Sequence, residues 1–184
     1  MKKIIILVFI LIGVLFCLQS KWYLKNPDYQ PDPKISAKLT ALGDSALKTA
    51  DVPVAALLLY NDHIIGEGYN TVNKSNLAGG HAEINAISSA MNIMGADSFA
   101  KLDRNKLTLI TTWEPCPMCA GAIVEYNIRH VVMMKSKPLT QWFDQWKKQL
   151  HYNWIRQGST TDTLQEHLFR KHPLYNEQKM KANS

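Results

Sequence analysis

The sequence predicts an α/β domain with a mixed central sheet, preceded by an N-terminal hydrophobic (transmembrane) helix. Three observations carry this. Val52 to Tyr60 and His63 to Tyr69 are β-suited runs separated only by Asn61-Asp62, which reads as a hairpin and therefore an antiparallel pair. Lys106 to Thr112, Cys116 to about Tyr126 and Arg129 to Lys135 read as strand, helix and strand, an order that needs a parallel pair joined by a crossover. Ile4 to Leu18 is an unbroken apolar run behind Lys2 and Lys3.

At 184 residues the chain is long enough for one domain with a real core and too short for two of ordinary size. Charged residues at 20% and hydrophobic residues at 46% are ordinary for a globular chain and argue against a disordered one. The net charge of +6 is uneven: from Lys135 onward nine Lys and Arg face four Asp and Glu. Such a segment can meet phosphates, but a solvated surface is its commoner meaning. Three cysteines make no disulfide framework. Cys17 lies in the apolar run, and Cys116 and Cys119 are spaced as Cys-x-x-Cys, which leaves a metal site or a redox pair.

Taken in order, the apolar run is followed by Trp22 and Tyr23, placed as interface residues would be. Phe16, Cys17 and Leu18-Gln19-Ser20 fit the small-residue cleavage rule poorly, so an uncleaved membrane anchor is preferred to a cleaved signal or a buried helix. Lys2 and Lys3 then place the remainder extracytoplasmically, with Lys21 and Lys25 competing. Residues 26–33 form a Pro-rich linker. Asp32 caps and Pro33 opens a helix to about Ala50, with Ile35, Leu39, Leu42, Ala46 and Leu47 on its buried face. After the hairpin, Asn70 leaves the strand end, a polar stretch runs to Gly79-Gly80, and a helix follows from about His81 to Met94. Its expected buried side is Ile84, Ile87, Ala90, Met91 and Met94, and Gly95 ends it. Beyond Lys135, Thr140 to Leu150 reads as helix, His151 to Ile155 as a short fifth strand, and Asp162 to Lys171 as a closing helix.

The chemistry-bearing residues are His81, Glu83, Cys116 and Cys119. Zinc takes thiolate sulfur and imidazole nitrogen in a tetrahedron, and three protein ligands leave one position for water. Cys116 and Cys119 project from one side of a first helical turn, whose dipole favours thiolates. His81, also at a helix start, supplies a third ligand, and Glu83 is close enough in sequence to move a proton beside it. Each has a plainer reading. Cys-x-x-Cys can be half of a structural zinc site, Glu83 suits any first turn, Met118 is expected in the core, and Trp113 can stack on a ring or cap the core.

These residues resemble the cytidine deaminase-like superfamily, specifically the branch with tRNA adenosine deaminases, guanine deaminases and fungal-type cytosine deaminases. The resemblance runs from about Asp51 to Met134. It is carried by Asp51-Val52-Pro53-Val54-Ala55, Ile65-Gly66-Glu67-Gly68-Tyr69-Asn70, His81-Ala82-Glu83 and Glu114-Pro115-Cys116-Pro117-Met118-Cys119-Ala120-Gly121-Ala122. It implies a three-layer α/β/α domain, Zn2+ held by His81, Cys116 and Cys119, Glu83 as the catalytic proton shuttle, and Asn70 as a substrate contact. Ala82, Trp113 and Glu114 are the further candidate substrate contacts. Asn76-Leu77-Ala78-Gly79-Gly80 departs from the Asp-Pro-Thr-Ala of the tRNA enzymes, and Pro117 resembles the guanine deaminases.

The expectation is a membrane-anchored, zinc-dependent hydrolase removing the exocyclic amine of a nucleobase or nucleoside, with a tRNA wobble adenosine as the alternative substrate. From other classes, a thioredoxin-like disulfide oxidoreductase and a non-catalytic zinc-binding module are the rivals. Partners expected are a small nucleobase or nucleoside, RNA as runner-up, a membrane through the N-terminal segment, and a second copy in a homodimer. The expected organisation is an anchor or signal segment at 1–25, a linker at 26–33, the zinc-dependent domain at 34–172 and a polar basic tail at 173–184.

Overall fold

The computed structural model of the chain describes residues 2–18, 29–155 and 164–171. The chain divides into two compact units, residues 1–139 and 140–184. Trp22, Tyr23, the first three residues of the linker and the tail at 173–184 lie outside the described residues, as does the side chain of Cys17.

In the first unit, helix α1 (Lys2–Leu18) is followed by α2 (Pro33–Leu47), β1 (Ala55–Tyr60), β2 (His63–Tyr69), α3 (Val72–Ser75), α4 (Ala82–Met94), α5 (Ala96–Ala100), a 3-10 turn at Arg104–Lys106, β3 (Leu107–Thr111), α6 (Pro117–Glu125) and β4 (His130–Met133). The strands lie in the order β2-β1-β3-β4. β1 is antiparallel to β2 and to β3, while β3 and β4 run parallel across the α6 crossover, so the sheet is mixed as expected. The hairpin turn has Asn61 at φ 48° and Asp62 at φ 64°. Both central residues therefore take the left-handed conformation of a type I′ turn, whose twist matches that of the strands it joins.

β1 explains the layering. Its alternate residues face opposite ways, so Ala56 and Leu58 pack with α4 and α6 residues while Ala55, Leu57 and Leu59 pack under Leu39 of α2. A strand buried on both faces reads as a continuous apolar run, as Ala55 to Leu59 does. Asp32 caps α2 by accepting from the Lys34 N–H at 2.7 Å, and Pro33 occupies the first turn. Leu47, expected inside, is 57% exposed because the helix ends there.

The buried face of α4 holds Ile87 and Ala90 as expected, with Met91 and Met94 packed against the core, but Ala82 and Ala86 share that face and Ile84 is not part of the core. Ala82, Ala86 and Ala90 are fully buried, while Ile84 and Met91 are half-buried. The reason is β2, which presents Gly66 and Gly68 to the helix. A Cβ at Gly68 would strike the Ala82 carbonyl oxygen and the Ala86 nitrogen, and one at Gly66 would come within 2.9 Å of the Ala90 Cβ. Alanine opposite glycine lets the backbones approach closely, and that approach fixes the height of the α4 N-terminus above the sheet. Gly68→Ala is expected to cost about 1–3 kcal/mol, because the obstructing atoms are backbone and cannot swing aside. Gly79→Ala, with nothing within 4 Å of the added carbon, is the control and should be close to neutral. Thermal melts of the two variants check this, and equal melting temperatures would show that the helix is free to shift.

The polar stretch before His81 is also tied down. The Asp51 carboxylate accepts from Thr49 Oγ1 and from the Asn73 and Lys74 N–H groups at 2.7, 2.7 and 3.2 Å, capping α3 from outside it. Burial opposes its ionisation, but these hydrogen bonds hold its carboxyl below the usual range.

The expected transmembrane helix is not supported. Among the described residues no helix is long and apolar enough to cross a membrane. α1 has 17 residues and begins with two lysines, which leaves an apolar length of about 22 Å at 1.5 Å per residue, against a hydrocarbon core of about 30 Å. The membrane partner, and the extracytoplasmic placement derived from the anchor, fall with it.

In the second unit, α7 (Leu139–Ile155) is one continuous helix that starts at the boundary, so the fifth strand expected at His151 to Ile155 is absent there. α8 (Leu164–Arg170) lies inside the expected closing helix.

Candidate metal centre

Two helix N-termini supply the site. His81 is the residue immediately before α4, and Cys116 holds the same position before α6, both in extended backbone. Cys119, fully buried, comes from the first turn of α6. The His81 Nδ1 lies 3.6 Å from the Cys116 Sγ and 3.5 Å from the Cys119 Sγ, and the two sulfurs are 3.6 Å apart.

That triangle fits a zinc ion. Zinc–sulfur bonds of about 2.3 Å and a zinc–nitrogen bond of about 2.0 Å at tetrahedral angles place the donors about 3.5–3.8 Å apart. The donor chemistry agrees with the spacing: two sulfurs and one imidazole suit zinc and leave a fourth position open. The two thiols are hydrogen-bonded to each other. The hydrogen bond between the Cys116 and Cys119 sulfurs holds the Cys116 thiol down at about 5, against the opposing effect of burial. The same hydrogen bond, then burial, then the Glu83 carboxylate push Cys119 up. Binding a metal releases thiol protons, which makes affinity depend on pH.

Glu83 is 3% exposed, in the first turn of α4, with its carboxylate facing the Cys119 thiol. Asn70, at the end of β2, accepts from the Ala82 N–H through Oδ1 at 2.9 Å, while its Nδ2 donates to nothing among the described residues. Asn85 steadies Asn70 from both sides, donating from Nδ2 to the Tyr69 carbonyl at 2.7 Å and to Thr71 Oγ1 at 3.0 Å. Ala82 is fully buried and its N–H is committed to Asn70. Trp113 is half-buried, and its carbonyl accepts from Thr111 Oγ1 at 3.1 Å. Glu114 accepts from the Lys137 N–H at 2.7 Å. Met118, expected in the core, is 43% exposed, because α6 turns Cys119 and Ile123 inward instead.

Asn85 and Lys137 escaped the sequence reading, since each acts on a partner 14 or more residues away and neither belongs to a motif. A groove of about 350 Å³ between α2 and the ends of β3 and β4, lined by Ser36, Leu39, Thr40, Asp44, Thr112 and Met134, contains none of the site residues.

Residues 30–135, more than half of the chain, match the cytidine and deoxycytidylate deaminase zinc-binding region. The chain belongs to this family. Its cofactor is zinc, as the family's region and the His81, Cys116 and Cys119 group both require. Among relatives, tRNA-specific adenosine deaminase 2 of Xenopus tropicalis is 36% identical over 96 residues, which are 52% of this chain and 56% of that one. A tRNA-specific adenosine deaminase of Streptococcus pyogenes serotype M18 is 38% identical over 89 residues, 48% of this chain and 53% of that one. The chain thus spans about half the length of these two deaminase relatives. Guanine deaminase of Bacillus subtilis superposes with a TM-score of 0.60 over 80% of this chain and 99% of its own, at 23% identity, a likeness of fold alone. A tRNA A34 deaminase superposes with a TM-score of 0.52 at 28% identity over 58% of this chain and 74% of its own. The cytidine deaminase-like fold is thereby confirmed, and the disulfide oxidoreductase gives way to the deaminase family.

Proposed function

We propose that this deaminase-family chain hydrolyses the exocyclic amine of a purine or pyrimidine ring, with His81, Cys116 and Cys119 as zinc ligands and Glu83 as the proton carrier. The observation that carries the reading is Glu83, buried beside the Cys119 member of a three-donor metal group. When bound, zinc lowers the pKa of a water and makes it nucleophilic near neutral pH. Glu83 would take a proton from the attacking water as the water's oxygen bonds to the ring carbon. It returns a proton to the amine as the carbon–nitrogen bond breaks, so ammonia leaves and a carbonyl remains. His81 turns Nδ1 towards the two sulfurs, so that nitrogen is the one that would meet the ion. Asn70 holds the ring edge through its uncommitted Nδ2, and Trp113 borders the ring. The catalytic domain is assigned to 34–172, after the 26–33 linker.

A second reading is an adenosine in tRNA. It is supported by the 36–38% identity to tRNA-specific adenosine deaminases. Without an extracytoplasmic placement, nothing sets a free base or nucleoside above an RNA substrate. Ammonia release by the full chain with zinc, measured on guanine, cytosine, adenine, their nucleosides and a tRNA anticodon hairpin, separates them. Turnover of the hairpin alone selects the tRNA reading, and turnover of a free base or nucleoside selects the first. Absence of release from every substrate by a chain with one zinc bound favours the non-catalytic module.

A further inference from the structure

We infer that Glu114 and Lys137 form a clamp that sets the position of Cys116 for its metal, an inference that rests on the ligand assignment above. Cys116 stands between Pro115 and Pro117. Neither proline has an N–H, so the turn that presents this thiol lacks backbone donors on both sides of it. Its ties come from the segment after β4. The Glu114 N–H donates to the Lys135 carbonyl at 2.9 Å, the Lys137 N–H donates to Glu114 Oε2 at 2.7 Å, and Lys137 Nζ donates to the Pro115 carbonyl at 2.8 Å. Because β3 and β4 are parallel neighbours, the chain leaves both at the same end of the sheet, which brings 135–137 alongside 114–116.

The three bonds grip both residues that lead into Cys116. Lys137 forms no ion pair among the described residues, so its charge is directed to the Pro115 carbonyl. Glu114 spends Oε2 on the Lys137 amide, and that bond is what gives it a positioning role. Groups that orient metal ligands from outside the coordination sphere commonly govern metal affinity, and their loss costs about 10–100-fold in affinity or activity.

The test is zinc affinity of the full chain by competition with a chromogenic chelator, alongside thermal melts and, on whichever substrate is turned over, kcat and KM. Glu114→Ala is expected to raise the zinc dissociation constant about 10–100-fold. Lys137→Met should raise it several-fold, and Lys137→Arg should restore most of the loss by keeping a cationic donor. Folded Glu114→Ala and Lys137→Met proteins that bind zinc within about twofold of the wild type would overturn the clamp. A raised KM with zinc affinity unchanged in Glu114→Ala would overturn it too, since that is the result a substrate contact gives. Cys116→Ala keeps the two ideas apart. Wild-type zinc binding in Cys116→Ala refutes the ligand assignment, whereas zinc lost there and kept in Glu114→Ala refutes the clamp alone.

Discussion

Glu83→Gln is expected to lower ammonia release by at least about 10²–10⁴-fold, the usual contribution of a positioned acid–base group, while zinc stays at one per chain. The side chain is 3% exposed and makes no ion pair among the described residues. Burying a carboxylate without a cation is costly, so a purely structural role would favour almost any other residue at this position. The substitution preserves size and hydrogen-bonding atoms and removes only the ability to carry a proton. The melting temperature should therefore stay close to that of the wild type. Measured together, zinc content, melting temperature and turnover separate three roles. A variant that retains turnover within about tenfold ends the proton-carrier reading. One that loses zinc makes Glu83 a ligand. One that keeps zinc and loses only turnover places Glu83 in the chemistry.

What was legible in the sequence was whatever short-range chemistry determines. The I′ turn at Asn61-Asp62, the Asp32 cap with Pro33 behind it, and the helix start at Cys116 and Pro117 each depend on residues within a few positions. The metal group was legible for the same reason, since two of its donors share one helical turn and the third closes a motif of its own. Errors arose where a distant partner decides. On α4, Ile87 and Ala90 are buried as expected, but Gly66 and Gly68 on β2 bring Ala82 and Ala86 into the seam, where Ile84 was expected. At the end of α7, Tyr152, Trp154 and Ile155 suit a strand by propensity, but the helix already running from Leu139 extends through them. The membrane anchor, expected from the apolar run, its flanking lysines and aromatics and the poor cleavage site, fails on length. Lys137 was invisible because a lysine after a strand has no local signature, and only the parallel pairing of β3 with β4 brings it to Pro115.

Cys119→Ala is expected to abolish stoichiometric zinc binding, and with it both turnover and the response of stability to zinc. Cys119 is fully buried, so its plain alternative is that of a small core residue, for which alanine is a near-isosteric replacement. The two readings predict opposite behaviour. As a core residue, its loss would lower stability modestly and leave the zinc dependence untouched. As a ligand, its loss leaves His81 and Cys116 as two donors, too few to close a tetrahedral site against water. Linkage gives the scale: free zinc at 1,000 times its dissociation constant stabilises a folded chain by about 4 kcal/mol. Wild-type protein stripped by a chelator should melt at a lower temperature and recover fully when zinc is returned. Cys119→Ala should melt near the stripped wild type under both conditions, because the interaction that zinc adds has no place to form. A variant whose melting temperature still rises with zinc, and which still retains one ion per chain, would remove Cys119 from the coordination sphere and leave the metal to donors outside this triangle.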